Sequence, residues 1–318
     1  METEEFEIRR YAPKDKSAWN DFVAASKNGT FLFDRNYMDY HADRFSDFSL
    51  MFYMKGKLYA LLPANKDDDH TLVSHGGLTY GGLITDTSAT ASGVVQLFGQ
   101  LVKYLASQGF HTFIYKAIPW IYHRLPAEED LYALFRTERA RLLARDISST
   151  IIQSRPLKWH RDRRYGINRC RNNGVEVGQS DDYAAFWQVL NGNLMATYGV
   201  HPVHSLDEML LLKSRFPHNI MLYTATKNGQ TLGGTVLYLT PQTVHAQYIS
   251  ASQEGKHLRV IDAIYDRILN EDFAMCPIFD FGKSTEDHGH ILNESLIYQK
   301  EGFGARGVCY DTYEIDLR

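Results

Sequence analysis

Alternating apolar and polar positions predict two β-hairpins that lie about 170 residues apart in the chain. The first runs from Leu50 through a turn at Lys55-Gly56-Lys57 to Leu62, and the second runs from Ile220 through Asn228-Gly229 to Leu239. Asn-Gly between apolar runs favours a tight turn, because both central residues of such a turn need positive φ. A third strand is predicted after each hairpin, at residues 72–84 and 244–251. Each half therefore contains an antiparallel meander.

The same order of elements continues in both halves. After each meander the pattern predicts a helix, a short buried strand, a second helix and a last strand, at residues 94–105, 111–116, 128–139 and 142–152 in the first half and 258–269, 278–281, 291–301 and 308–315 in the second. Helices are also predicted before each meander, at residues 17–25, 36–45, 182–198 and 205–216. The pattern indicates a mixed α/β fold with two tandem domains, each a mostly antiparallel sheet flanked by helices. We place the boundary at Arg155-Pro156, which gives domains 1–155 and 156–318.

Composition supports two packed domains. The 318 residues are 44% hydrophobic and 13% aromatic, which is enough for two cores. The apolar runs are shorter than the roughly 20 residues of a membrane span, and the acidic N-terminus does not look like a secretory signal. The three widely spaced cysteines do not suggest a disulfide framework or a metal knuckle. These features predict a cytoplasmic protein with reduced thiols and without a membrane span.

Positive charge is concentrated in one stretch. Eleven Arg and Lys residues and three acids lie between Arg136 and Arg171, in a chain whose net charge is −4. Such a stripe can bind one anionic ligand, or it can be a solvated helix face with surface ion pairs, and the sequence leaves both open. The helix predicted at residues 157–172 carries most of it.

The sequence lacks the motifs of several common kinds of enzyme site. It has no GxSxG nucleophile elbow, no phosphate-binding P-loop and no HExxH zinc motif. The pairs His201/His204 and His288/His290 lack a third convincing ligand, so no metal site is predicted.

The segment from Asn293 to Phe303 resembles the fourth-helix signature of GNAT N-acyltransferases. Tyr298, Lys300, Gly302 and Phe303 stand at the relative positions of the Tyr-x-Lys-x-Gly-Phe pattern, while Asn293 is two residues closer than usual. A helix C-cap with an aromatic contact would produce much of the same pattern. The segment follows a meander, a helix and a strand, as it does in the superfamily.

In GNAT enzymes the pyrophosphate of acyl-CoA lies on the turn between the third meander strand and the next helix. The resemblance places that turn at residues 250–257 and implies donor contacts from Ser250, Ser252, Gly255 and Lys256. The turn departs from the usual Gln/Arg-x-x-Gly-x-Gly/Ala pattern. The matching turn of the first half, residues 85–88, has no glycine and no cation, so we expect the first domain to be a degenerate copy with an architectural or acceptor-binding task.

Over nearly the whole chain the arrangement is similar to the FemAB-like group, bacterial tandem-GNAT proteins that include aminoacyltransferases using aminoacyl-tRNA. The similarity rests on the basic helix running from Lys158 into Gly174-Val175, and on Phe279-Asp280-Phe281-Gly282 at a strand end.

The resemblance implies direct transfer of an acyl group to an amine. Tyr298 is the expected acid for the leaving group, and the expected base is Glu286, with Asp280 as second choice, although both carboxylates can instead cap the next helix. Further donor contacts are expected from Lys283, Ser284, Asn293, Arg163 and Arg169.

Three functions stay open at this point. The first is an N-acyltransferase that uses acyl-CoA, with acetyl-CoA as the first choice of donor, and an amine on a small molecule or cell-envelope precursor as acceptor. The second is a FemAB-like aminoacyltransferase that uses aminoacyl-tRNA and acts on a cell-wall or sugar-linked precursor. The third is a binding protein that has kept the fold without catalysis.

Overall fold

The computed structural model describes residues 5–318. The strands are β1 (Phe6–Arg10), β2 (Ser46–Asp47), β3 (Leu50–Met54), β4 (Lys57–Leu62), β5 (Asn65–Lys66), β6 (Thr71–Val73), β7 (Ile84–Thr85), β8 (Thr112–Lys116), β9 (Ala140–Ile152), β10 (Glu176–Ser180), β11 (Ile220–Lys227), β12 (Gln230–Leu239), β13 (Thr243–Ala251), β14 (Ile278–Lys283), β15 (Thr285–Glu286), β16 (Ile291–Leu292) and β17 (Arg306–Asp316). The helices are α1 (Lys16–Ala25), α2 (Arg35–Met38), α3 (Ala91–Ser107), α4 (Glu129–Arg136), α5 (Arg161–Asn172), α6 (Tyr183–Tyr198), α7 (Leu206–Arg215), α8 (Gln253–Leu258), α9 (Val260–Arg267) and α10 (Glu294–Glu301).

The chain forms two compact units. Among the described residues, the first contains 5–147, 285–291 and 309–318, and the second contains 148–284 and 292–308. The last strand of each sequence half pairs within the unit built mainly by the other half: Ser148–Ile152 of β9 pair with β14, and Thr312–Asp316 of β17 pair with β8. The division of tasks between residues 1–155 and 156–318 remains a prediction.

The first unit packs α3 and α4 on its sheets. One sheet has the order β1-β3-β4-β7, and the other strands of this unit include the neighbours β2, β5, β6 and β8. The apolar face of α3, with Val94, Leu97, Phe98, Leu101 and Leu105, lies in a core shared with Phe52, Phe113 and Ile315. Thr90 caps α3 by accepting a hydrogen bond from Gly93 N.

The second unit is a mixed sheet with the order β10-β11-β12-β13-β14 followed by residues 148–152 of β9. β10 to β13 pair antiparallel, and β13 pairs parallel to β14. The Asn228-Gly229 turn joins β11 and β12, and both residues have positive φ, of 51° and 78°, as predicted from the sequence. The core of this unit contains Val260, Ile264 and Ile268 from the helical segment after α8, packed on Phe279 and Phe303.

Three elements differ from the sequence prediction. The strand expected at residues 72–84 is two short strands in different sheets, β6 and β7, because the chain turns at His75 and Gly82, whose φ angles are 64° and 88°. The helix expected at 258–269 begins at Gln253 and is broken at Arg259, whose φ is 65°. The helix expected at 36–45 is only the short α2 with a following 3₁₀ turn. Periodicity alone did not signal these left-handed residues.

Among residues 5–318, no helix is long and apolar enough to cross a membrane. The same residues contain no group of three His, Cys, Asp or Glu side chains placed to hold a metal ion.

Candidate functional site: a cleft where two parallel strands separate

Two parallel strands of the second unit pair over three residues and then separate. β13 and β14 are in register from Thr243↔Ile278 to His245↔Asp280, while β13 continues to Ala251. Beyond His245, β13 remains paired with β12 on its other side. Its register with β12 shifts between Ala246 and Tyr248, so Gln247 forms a bulge, and bulges bend a strand and increase its twist. Among the described residues, the edge of β13 that faces β14 is therefore unpaired with that strand beyond His245.

A mainly apolar cavity of about 290 Å³ lies beside this separation. We call it the apolar cavity; its walls come from β13, α9, β14 and α10 and include Ile249, Ala251, Ile261, Tyr265, Phe281, Leu296 and Phe303. Its polar wall residues include Ser250, Asn193, Lys256, Gln299 and Lys300. The volume is close to the lower end of small-ligand sites, roughly 300–1,000 Å³.

A second, more open cavity of about 430 Å³ shares Ala251, Lys256, Ile261 and Gln299 with the first. We call it the charged cavity, because Asp162, Arg163, Lys256, Arg259 and Asp262 line it together with Tyr298. Three cations and two carboxylates give it a net positive charge. The two cavities are therefore neighbours with shared wall residues, one mainly apolar and the other cationic.

The turn from β13 into α8 contributes Ala251 and Lys256 to both cavities, and it is capped by its own residues. Ser252 is the N-cap of α8, and its Oγ accepts from Gly255 N at 3.0 Å. Gly255 lies so close to β12 that a Cβ on it would be 2.2 Å from the carbonyl oxygen of Leu232. Lys256 N donates to Ser252 O, so two of the amides at this turn already have partners. Ser250, by contrast, is buried in the wall of the apolar cavity, and its Oγ has no hydrogen-bond partner among residues 5–318.

Tyr298 and Asn293 lie on α10 and have different surroundings. Tyr298 is 58% exposed and lines the charged cavity, with its ring 5.4 Å from that of His160. Asn293 is the N-cap of α10, and its Oδ1 accepts from Leu296 N at 3.1 Å. The Asn293 side chain thus serves the helix, while Tyr298 faces space that a ligand can enter.

The two arginines predicted to hold donor phosphates are already engaged within the protein. Arg163 is buried, with Nη1 2.5 Å from Asp262 Oδ1 and its guanidinium 4.7 Å from the ring centroid of Phe303. Arg169 Nη2 lies 2.5 Å from His257 Nε2. Lys256 is exposed, and its Nζ lies 2.5 Å from Asn193 Oδ1 of α6. Of these three cations, Lys256 is the one that lines both cavities.

The two predicted carboxylates lie in different units. Asp280 of β14 is completely buried and accepts hydrogen bonds from Thr150 Oγ1 at 3.0 Å and from Ser148 Oγ. Its other oxygen lies 2.7 Å from His245 Nδ1. Glu286 is exposed in β15, which belongs to the first unit. The two carboxylates therefore have different surroundings, Asp280 enclosed in the second unit and Glu286 exposed in the first.

Lys283 and Ser284, the predicted donor contacts at the end of β14, lie near Lys300, which the prediction omitted. Ser284 is buried, its Oγ lacks a hydrogen-bond partner among residues 5–318, and Lys283 is exposed. Lys300 of α10 is buried and donates through Nζ to the carbonyls of Gly282 at 2.8 Å and Lys283 at 2.7 Å. Burial lowers the pKa of Lys300 to about 8. Lys300 is part of the Tyr-x-Lys-x-Gly-Phe pattern, so the sequence contained a signal for it.

His245 is the second residue at this site that the sequence-based predictions leave out. Its partner Asp280 lies 35 positions away in the chain. The periodicity of β13 places His245 in a strand but carries no sign of that partner.

No family model and no curated protein matches the sequence. Solved structures match it over nearly its full length: FemX, with 9% identity, covers 98% of this chain and 97% of its own at a TM-score of 0.68. The C-terminal domain of a putative lysylphosphatidylglycerol synthetase from Agrobacterium fabrum, with 13% identity, covers 95% of this chain and 91% of its own at 0.62. A tandem GNAT protein from the clavulanic acid biosynthesis pathway, with 9% identity, covers 99% of both chains at 0.53.

The chain has a FemAB-like tandem GNAT fold. This confirms the fold class and the structural resemblance expected from Asn293–Phe303 and from the repeated order of elements. Identities this low establish the fold and leave the reaction to be argued from the site.

Proposed function

We propose that this protein is an N-acyltransferase that binds an activated acyl donor in the cleft between β13 and β14. The observation that carries the proposal is a pair of neighbouring cavities with shared wall residues, one apolar and beside the strand separation, the other cationic and lined by Tyr298. An activated acyl donor has the same two-part chemistry, with an acyl group at one end and phosphates at the other. We place the protein in the cytoplasm, where such donors are made.

The proposed reaction is direct attack of an amine on the donor carbonyl. Amides on the edge of β13 that lacks β14 would polarise the carbonyl oxygen. Tyr298, being exposed to the charged cavity, would protonate the leaving sulfur or oxygen. Ser250 Oγ, which is buried without a partner among residues 5–318, would gain one from the bound donor.

Our first choice of donor is acyl-CoA, with acetyl-CoA as the simplest case. Lys256 lines both cavities and would bind the pyrophosphate. Because Ser252 Oγ already occupies the amide of Gly255, we expect phosphate binding to depend on this side chain more than on the turn amides. The acceptor would be an amine on a small molecule or a cell-envelope precursor.

The second candidate donor is aminoacyl-tRNA, and one surface favours it. Arg161, Arg164 and Arg171 of α5 are exposed, as is Lys158 just before it. Their spacing of three and seven residues within α5 places the arginines on one face of the helix. Such a row of cations suits an extended phosphate backbone more than a single pyrophosphate.

Equilibrium binding at two salt concentrations tests the donor. We expect acetyl-CoA to bind, and Lys256→Ala to weaken that binding about tenfold, with Lys103→Ala, an exposed lysine on α3, as the matched control. If tRNA is the donor carrier, its affinity falls steeply with salt, and Arg161→Ala with Arg164→Ala reduces the slope. Binding of neither CoA nor tRNA contradicts both donor assignments and favours a non-catalytic binding protein.

A further inference from the structure

His245 and Asp280 form a hydrogen-bonded pair at the point where the two strands separate. They are the last residues of β13 and β14 in parallel register. His245 Nδ1 lies 2.7 Å from Asp280 Oδ2, and the other carboxylate oxygen accepts from Ser148 and Thr150 of β9. Asp280 is completely buried, whereas the side chain of His245 keeps 11% of its surface exposed.

The hydrogen bonds determine which nitrogen of His245 can act as a base. An ionised carboxylate only accepts, so Nδ1 must carry the proton that it donates to Asp280. The neutral imidazole then has its lone pair on Nε2. Ser148, Thr150 and His245 surround the two carboxylate oxygens of Asp280, and these hydrogen bonds hold the ring in one orientation.

The pair adjoins the wall of the apolar cavity. A Cβ on Gly282, whose φ is 77°, would lie 3.3 Å from His245 Cε1, so the ring lies against this glycine. The carbonyl of Gly282 accepts from Lys300, and Lys300 lines the apolar cavity, as does Phe281, the residue after Asp280. His245 thus lies against Gly282, and both the neighbour of this glycine, Phe281, and its hydrogen-bond partner, Lys300, line the cavity.

His245 belongs to the face of the sheet opposite the apolar core. Ala246 is in the core with Phe279 and Phe281, and His245, its neighbour in the strand, points the other way. The bulge adds Gln247 to the strand and so shifts the alternation of side chains by one residue. Tyr248 therefore lies on the same face as His245, and Ala246 lies on the other face. On that face Tyr248 hydrogen-bonds His204 at 2.6 Å.

We propose that His245 is the general base that removes a proton from the attacking amine, and that Asp280 positions it. This proposal rests on the proposed acyl transfer. The amine arrives as an ammonium ion, and Nε2 removes one proton from its nitrogen. As the C–N bond forms and the C–S or C–O bond breaks, the leaving atom takes a proton from Tyr298, and the tyrosinate regains one from the nitrogen of the new amide. The imidazolium releases its proton to solvent. Asp280, the second sequence candidate for the base, acts through His245, because its own oxygens are enclosed.

The test compares acceptors that need a base with one that does not. With acetyl-CoA or alanyl-tRNA as donor, wild-type protein, His245→Gln and Asp280→Asn are assayed with glycylglycine, glucosamine and spermidine, and with hydroxylamine, which is already neutral at pH 7. We expect both variants to lose about 10²–10⁴-fold in kcat with the amine that the wild type uses, and to keep the KM for the donor and most of the hydroxylamine rate. His218→Gln, an exposed loop histidine, is the matched control.

An activity-independent arm reads the tautomer. Two-dimensional ¹⁵N spectra of the histidines should show His245 with the proton on Nδ1, and Asp280→Asn should move it to Nε2, because the amide NH₂ donates where the carboxylate accepted. The spectra also decide about the base when the wild-type protein acylates hydroxylamine and none of the amines. In that case a His245 protonated on Nε2 overturns the proposal, and a His245 protonated on Nδ1 supports it.

The outcomes separate this proposal from the function on which it rests. Unchanged amine turnover in His245→Gln overturns the base assignment and leaves the transferase intact. A wild-type protein that acylates no acceptor, including hydroxylamine, from either donor contradicts the transferase and the base with it.

Discussion

Nη1 of Arg163 lies 2.5 Å from Oδ1 of Asp262, and both side chains are buried. Asp262 also pairs with Arg259 at 2.7 Å, so one carboxylate of α9 ties α5 to the left-handed residue at which the helix breaks. The arginine expected from the sequence to hold phosphates is therefore part of the scaffold beside the charged cavity.

Loss of Asp262 should destabilise the second unit more than loss of Arg163. Asp262→Ala leaves two cations without their carboxylate, at a cost of about 3–5 kcal/mol in the free energy of unfolding, whereas Arg163→Ala leaves Asp262 with Arg259 as partner. Chemical denaturation of both variants measures the difference, and Arg161→Ala on the exposed face of α5 is the control. Equal losses for the two variants would contradict the shared role of Asp262.

Removal of the Tyr298 hydroxyl should slow transfer without weakening the fold. Tyr298→Phe keeps the ring beside His160 and removes only the proton donor. We expect kcat to fall by about 10²–10⁴-fold with an unchanged donor KM, because general acid catalysis acts in the transition state. Steady-state kinetics with acetyl-CoA measure this, with Tyr165→Phe as the exposed control on α5. Unchanged turnover would remove Tyr298 from the mechanism.

Ser250 offers a test in which stability and binding change in different directions. Its buried Oγ has no hydrogen-bond partner among residues 5–318, so Ser250→Ala removes an unsatisfied polar atom and should leave stability unchanged or slightly higher. Donor affinity should fall by about 1 kcal/mol if the hydroxyl binds the donor. Thermal unfolding and calorimetric binding are measured on the same samples, with Ser252→Ala for comparison. Because Ser252 caps α8, that variant should lose about 1 kcal/mol of stability.

His75 should make the protein less stable as the pH falls. It is buried, and burial, followed by the charges of His41 and Lys116, lowers its pKa to about 3, from 6.5 in the unfolded chain. Between these pH values the unfolded state binds one more proton at His75 than the folded state does. This residue therefore lowers the free energy of unfolding by about 1.4 kcal/mol for each unit by which the pH falls. His123, with a pKa lowered by burial to about 4, acts in the same direction, while Asp130, raised by burial to about 6, opposes it.

Asparagine is the suitable replacement at His75, because the residue has a φ of 64° and asparagine tolerates that region. His75→Asn should reduce the slope of unfolding free energy against pH by about one proton between pH 4 and 6, measured by urea titrations at each pH. His218→Asn should leave the slope unchanged. An unaltered slope in His75→Asn would show that this imidazole becomes protonated without unfolding.

The motif at the end of the chain was informative because its spacing is local. Tyr298, Lys300 and Phe303 lie within one helix and its cap, so their order in the sequence already determines which of them share a side. The capping by Asn293 and Ser252 follows from the same short-range rules. For Asn293 and Ser252 alike, the structure shows the capping role.

By itself, the sequence determined the repeated order of strands and helices, the Asn228-Gly229 turn and the position of Tyr298 on the last helix, because hydrophobic periodicity and turn chemistry act over a few residues. Only the tertiary structure decided that Arg163 is enclosed by Asp262 and Phe303, that the last strand of each half pairs in the other unit, and that His245 meets Asp280 where β13 and β14 separate. These contacts join residues dozens to hundreds of positions apart. Their burial contributes to stability only when the sheet is assembled, and no local pattern in the sequence predicts it.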